Sequence, residues 1–276
     1  MKKEIRLAAL VALCAASAAY GEPSWRELAP GLDLAELVPS KATDGGGSRI
    51  VVVRADPGRW ELDVVGRSRS GEKEGRTAKG WAEANGLAVA TNAGMFATDY
   101  VTHLGYLELR GEVLSRRVND YQSVAAFDPK EPSKAPAFRI FDLDAPGVTI
   151  ESIRADYGSL VQNLRLVRRP GENRWSEQAK RWSEAALGED AEGRILLVFS
   201  RAPFSMRELN RELAASGIGL VASQHLEGGP EAQLYLKAGG TELELFGSFE
   251  TGFREDDANG IPWPIPNVLG LRARSR

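Results

Sequence analysis

The sequence predicts an α+β fold of mixed, largely antiparallel sheets with a few packed helices. Strand-type runs outnumber helical ones along its 276 residues. Turns at Asp56-Pro57-Gly58 and Ala238-Gly239-Gly240 lie between such runs, which predicts hairpins and hence antiparallel pairs.

At the start of the chain, Lys2, Lys3 and Arg6 precede an apolar run that ends in small residues around Ala19-Tyr20-Gly21. This is the pattern of a secretory signal peptide, so residues 1–21 are expected to be removed by cleavage near Gly21 and the mature chain to be secreted or periplasmic. Leu13 stands before Cys14 where a lipoprotein signal carries a small residue. The apolar run is too short for a permanent membrane helix and no later stretch is long enough, so no transmembrane segment is expected. Cys14 is the only cysteine, and its loss excludes disulfides and thiolate chemistry from the mature chain. Losing three basic groups and Glu4 moves the formal charge from −3 to −5. No basic run or tail marks a nucleic-acid surface, and the remaining length suits one domain with a sizeable core.

Residues 22–49 hold Pro23, Pro30, Pro39 and the run Asp44-Gly45-Gly46-Gly47-Ser48, and are expected to be a lead-in or linker before a domain at 50–276. Ile50–Val53 and Trp60–Val65 read as strands around the first turn. A short helix is expected over 77–85, with Ala78, Trp81 and Ala84 on one face and Gly86 at its end. Leu87–Thr91 is a small apolar run fit for a buried strand that delivers Asn92 and Gly94 to a loop mouth. Asn92 can bond a ligand through both donor and acceptor, or can equally satisfy the backbone of a turn. Leu104–Leu109 with Glu112–Leu114 forms an expected hairpin about Arg110-Gly111, and Ser123–Phe127, Arg139–Phe141 and Val148–Ile150 read as further strands.

In Gly158–Val167, Gln162, Asn163 and Arg165 interrupt an apolar run, and buried polar groups there need partners from the fold or from a ligand. Arg181, Ser183 and Glu184 form a second polar cluster ahead of the strand Ile195–Phe199. Ser205 and Glu208 make a capping box that opens a helix with Met206, Leu209 and Leu213 inward and Gly217 past its end. Strand, capped helix and the following strand at Ile218–Ala222 suggest a parallel βαβ unit.

That unit feeds the stretch Ser223–Leu236, SQHLEGGPEAQLYL, the strongest candidate site in the chain. Glu227 and Glu231 flank Gly228, Gly229 and Pro230, so both carboxylates are expected on a sharp turn, where glycines allow close approach of another molecule. A Gly-Pro turn with two solvated glutamates is the alternative. The two histidines, His103 and His225, show no metal-ligand spacing, and neither a metal nor another cofactor is expected.

Six segments in this order carry a resemblance: ATNAGMF at 90–96, SLVQNLRLV at 159–167, RWSEAALGED at 181–190, LVFSRAPFSMREL at 197–209, HLEGGPEAQLYL at 225–236 and PIPNVLGL at 264–271. Together the sequence resembles the phosphodiester glycosidase family over roughly residues 50–271. Where that family commonly shows Asp-Gly-Gly-Gly-Ser, this chain has Glu227-Gly228-Gly229-Pro230-Glu231; where the family often shows Arg-Thr-Ala, it has Glu184-Ala185-Ala186. The literal string at Asp44–Ser48 precedes the first strand of the domain and is taken as coincidental. The resemblance implies an exported hydrolase of a glycosidic bond in a phosphodiester or related envelope glycoconjugate, with a carbohydrate or sugar-phosphate substrate. On that reading Glu227 is the first choice of catalytic carboxylate, with Glu231 or Glu184 second. Arg165, Arg181 and Arg201 are the candidates for the phosphate, Asn92, Gly94 and Gln162 for further substrate contacts, and Gly228 and Gly229 for clearance beside the carboxylate. The alternative is a non-catalytic envelope or polysaccharide-binding protein on the same fold.

Overall fold

The computed structural model describes residues 22–40 and 49–275. The chain begins with β1 (Arg26–Ala29) and β2 (Leu32–Leu37), followed by β3 (Ile50–Ala55) and β4 (Trp60–Gly66). Helices α1 (Arg67–Ser70) and α2 (Ala78–Asn85) lead to β5 (Val89–Asn92), β6 (Tyr106–Leu109), β7 (Glu112–Arg116), β8 (Ser123–Pro129) and β9 (Phe138–Asp142). Then come α3 (Ile150–Asp156), β10 (Tyr157–Val167), β11 (Trp182–Asp190), β12 (Ile195–Phe204), α4 (Met206–Ala215) and β13 (Leu220–Gly228). A 3-10 turn at Gly229–Glu231 connects to β14 (Gln233–Ala238), β15 (Thr241–Phe246) and β16 (Asn267–Ala273).

Among the described residues the strands form two sheets, and every strand pair is antiparallel. The larger runs β1-β2-β3-β12-β11-β13-β10-β6-β7, with β8 paired to β10 and β9; the smaller runs β15-β14-β5-β16-β4. The main core lies between them, joining Leu32, Val53, Leu197 and Leu226 of one sheet to Val89, Leu234 and Leu269 of the other. On the outer face of the large sheet, Val52, Val198 and Ala186 pack against Met206, Leu209 and Leu213 of α4. Trp81 of α2 closes the outer face of the small sheet with Tyr235 and Val268. Burial on both faces explains why β3 and β12 read as unbroken apolar runs rather than alternating ones.

The expected capping box forms, Ser205 with Glu208 at the start of α4, and Thr77, expected inside its helix, instead caps α2 by accepting from the Gly80 N–H. Tails past the helices take left-handed glycines, Gly86 at φ 64° and Gly217 at φ 75°. Among the described residues no helix is long and apolar enough to cross a membrane.

Four expectations need correction. Residues 26–37 are not a linker: β1 and β2 are the edge of the large sheet, and Leu28, Leu32 and Leu34 belong to the main core. The proline and glycine content that suggested a lead-in falls mostly outside those two strands, and residues 1–21 and 44–48 lie outside the described residues. The turn at Asp56-Pro57-Gly58 does not make a hairpin. β3 pairs with β2 and β12 while β4 pairs with β16, so this turn carries the chain from one sheet to the other. Val148–Ile150 is no strand either; Thr149 caps α3, which begins at Ile150. Finally, β12 and β13 run in one direction about α4, but β11 lies between them and pairs with each.

Leu32 is fully buried between the sheets. Leu32→Ala should therefore cost about 2–5 kcal/mol in chemical denaturation. A cost near zero would return this segment to the status of a strap.

Candidate active site

β13 sits between β11 and β10 near the middle of the large sheet, and its last residues carry His225, Glu227 and Gly228. The chain then leaves the large sheet through Gly229–Glu231 and enters the small one at β14. At this crossing a cavity of about 350 Å³ opens. Glu227, Glu231, Glu250 and His225 supply its polar wall, and Trp182, Phe96, Met95, Leu164 and Met206 its apolar one.

Behind the wall lies a buried chain of contacts. Trp182 and Glu184 share a face of β11, and the Trp182 indole N–H donates to Glu184 Oε2 at 2.7 Å. Glu184 Oε1 meets His225 Nδ1 at 2.6 Å, both residues being buried. The indole also lies edge-on to the imidazole, with centroids 6.2 Å apart. Glu184 thereby commits Nδ1, which leaves Nε2 as the histidine nitrogen available to a ligand in the cavity.

Burial is the strongest influence on Glu227 and pushes its carboxyl up to about 8. His225 and the Gly228 N–H, 3.1 Å from Oε1, pull the other way, while Glu231 and Glu184 add to the rise. Burial also raises Glu231, with Glu250 acting in the same direction. For His225, burial alone would lower the imidazole. The charge and hydrogen bond of Glu184, helped by Glu227, outweigh it and hold the ring above its ordinary value. The cavity wall therefore combines a carboxyl that keeps its proton at neutral pH with an imidazole that holds a proton more readily than a free one.

Of the residues predicted from sequence, Glu227, Glu231 and Gly228 line the cavity and Glu184 stands behind it through His225. Glu227 ends a strand rather than occupying the turn, and Glu184 lies inside β11 rather than ahead of a strand. Asn92 does not face the cavity. Its Oδ1 accepts from the Gln233 N–H at 2.7 Å and its Nδ2 donates to the Glu231 carbonyl at 2.9 Å, so it clamps the crossing turn. The two glycines make room for protein instead of ligand: a Cβ on Gly228 would lie 2.7 Å from Trp182 Cδ1, and one on Gly229 2.9 Å from Glu250 Oε2. Gly94, at φ 142°, is needed because a Cβ there would meet Asn163 Oδ1 at 2.0 Å.

The remaining polar candidates are taken up by the fold. Gln162 accepts from the Tyr106 N–H and donates to the carbonyls of Asn119 and Tyr121. Arg201 is pinned by Asp257 and the carbonyls of Phe246 and Asn259, and Arg181 by Glu208. Arg165 is paired with Asp142 and Asp144. None of the three arginines lines this cavity. The sequence reading missed His225, Trp182 and Glu250. For His225 the signal was its position two residues before Glu227 on a strand, where such neighbours share a face.

The fold is that of the phosphodiester glycosidases. The chain matches the catalytic domain of zebrafish N-acetylglucosamine-1-phosphodiester alpha-N-acetylglucosaminidase, auto-inhibited by its pro-peptide, with a TM-score of 0.64 at 16% identity, over 92% of this chain and 88% of that one. A hypothetical protein from Synechocystis matches equally, at TM-score 0.64 and 16% identity, over 92% of this chain and 64% of that one. No curated protein matches the sequence. The chain belongs to the phosphodiester glycosidase family, whose model matches residues 85–272. Family and fold together support a glycosidase-like role.

The raised carboxyl of Glu227 has a consequence for stability. Between the ordinary glutamate range and about 8 the folded protein holds a proton there that the unfolded chain releases, so this group erodes stability as pH rises through that window. Glu227→Gln removes the effect. Its melting temperature should exceed the parent's at about pH 9 and the gap should close towards about pH 5, as followed by calorimetry. A gap independent of pH would contradict the burial of this carboxyl.

Proposed function

We propose that this chain is an exported hydrolase that cleaves the glycosidic bond between a sugar and a phosphodiester or related envelope glycoconjugate. The observation that carries the reading is the pairing, on one cavity wall, of Glu227 pushed up to about 8 with Glu231 and an imidazole braced by Glu184. Glycoside hydrolysis needs one carboxyl that gives a proton to the departing oxygen and a second group that steadies the oxocarbenium-like carbon or activates water. Glu227 keeps its proton at neutral pH and fits the donor; Glu231 is the partner carboxylate. A phosphate leaving group is weakly basic and asks less of the donor than an ordinary alcohol does. With the three candidate arginines engaged elsewhere, His225 is the lining residue that can carry positive charge against a phosphate.

Turnover of a sugar 1-phosphodiester should fall by about 10²–10⁴-fold in Glu227→Gln, with the fold retained. In the parent, kcat should decline as pH climbs through about 8 and the donor loses its proton. Parent-like turnover in the variant would reject the assignment. A parent inert on every phosphodiester and glycoside tested, yet able to bind glycans, would move the protein to the non-catalytic class. Export is part of the proposal, and the intact mass of the protein recovered from periplasm or medium tests the loss of residues 1–21.

A further inference from the structure

Across Leu164 from the carboxyl cavity lies a second cavity of about 230 Å³, and Leu164 lines both. Leu164 is paired with His225 between β10 and β13, so the second cavity begins one side chain away from the imidazole. Its other walls are Trp175, Arg165, Arg174 and Gln122, with Leu166 beneath. The neighbouring Tyr121 approaches the first cavity, its hydroxyl 3.9 Å from Met95 Sδ. Burial, with Asp120 and Glu227 adding to it, raises that hydroxyl.

Trp175 is held in place independently of any ligand. Its N–H donates to Asn173 Oδ1 at 3.2 Å, its carbonyl accepts from Arg207 Nη1 at 2.7 Å, and its indole N–H donates to the Arg165 carbonyl at 3.1 Å. Asn173 is in turn tied to α4 through the Arg207 carbonyl. With its N–H spent, the indole offers the cavity an apolar ring that is already ordered, so little conformational entropy remains to be lost on binding.

The guanidinium groups around it are matched in charge. Arg165 pairs with Asp142 and Asp144, Arg174 with Asp144 and Glu172, and Arg168 with Asp144 and Glu172. Three cations thus face three carboxylates, a poor attractor for a free anion. Each guanidinium carries five N–H donors, more than these pairs consume, and the ion pairs fix the planes in which the spare donors lie. A fixed aromatic ring beside neutralised, oriented donors suits a ligand with apolar C–H faces and a rim of hydroxyls. The volume is below the range usual for drug-sized ligands and fits a single ring.

We infer that the second cavity is a subsite for a neutral pyranose ring, placed to hold the sugar next to the one whose bond is cleaved. The inference rests on the carbohydrate reading of the first cavity. It makes the substrate a saccharide of two or more rings and Trp175 a specificity residue.

The test is a titration of the full chain, labelled at its tryptophan indoles, with methyl glycosides of glucose, galactose, mannose and N-acetylglucosamine, and in parallel with glucose 6-phosphate. Trp175→Phe identifies the Trp175 indole signal by its disappearance. At least one neutral glycoside should shift that signal saturably, and Arg174→Ala should weaken the effect by about tenfold, the worth of one good hydrogen bond to a charged donor. Shifts from the phosphate sugar alone, or from none of the probes, would overturn the subsite. Because the titration needs no turnover, an inactive enzyme whose Trp175 still responds would sink the hydrolase reading alone. An active enzyme whose Trp175 is silent would sink the subsite alone.

Discussion

The site is organised by one buried contact, the 2.6 Å approach of Glu184 Oε1 to His225 Nδ1 across neighbouring strands. A carboxylate and an imidazole withdrawn from water each carry a desolvation cost, and their mutual attraction offsets it only when the remaining polar atoms also find partners. Trp182 supplies that partner to Glu184, and its edge packs on the imidazole. The indole needs a flat neighbour, which is why Gly228 has no room for a Cβ. The absent side chain at Gly228 therefore follows from the buried pair behind it.

Crossing from one sheet to the other imposes the second constraint. A chain that leaves the middle of a sheet exposes backbone groups that must be bonded elsewhere. Asn92 does this from the small sheet, taking the Gln233 N–H and giving to the Glu231 carbonyl. Gly229 turns at φ 66° and its carbonyl lies where a Cβ on Gly247 would be 2.0 Å away. The crossing is thus packed from both sides, and Glu227 and Glu231, on either side of it, are held by the same bonds that close the fold.

Much of this architecture was legible in the sequence because it is written locally. The capping box at Ser205 and Glu208, glycines at Gly86 and Gly217, and the turn at Gly239-Gly240 depend on neighbours within a few residues, and the strands and helices they delimit are where they were expected. What was misread depends on partners far along the chain. Whether the turn at 56–58 makes a hairpin depends on β16, which takes β4 into the other sheet. Arg201 looked free until Asp257, and Arg165 until Asp142 and Asp144, came alongside. Asn92 was singled out for the right property, a donor and an acceptor on one side chain, but a turn 139 residues away uses both. Glu250 sits in a loop with no periodic pattern to mark it, and only its place beside Gly229 brings it to the cavity.

A cavity walled by carboxyl groups looks ill suited to a phosphodiester, whose own charge is negative. Two like charges about 4 Å apart near a protein surface repel by about 4 kcal/mol, so a fully ionised wall would reject such a substrate. Burial removes much of that conflict beforehand by keeping Glu227 protonated near neutrality, while Glu184 holds the His225 imidazole above its ordinary value. A bound phosphate would act on Glu227 in the same direction as burial, since a nearby anion favours the neutral carboxyl. The substrate's charge would then help to keep the proton in place until the departing oxygen takes it. The acidity of the wall and the negative charge of the ligand are compatible because burial keeps the Glu227 carboxyl neutral, beside an apolar wall of the tryptophan, the methionines and Phe96.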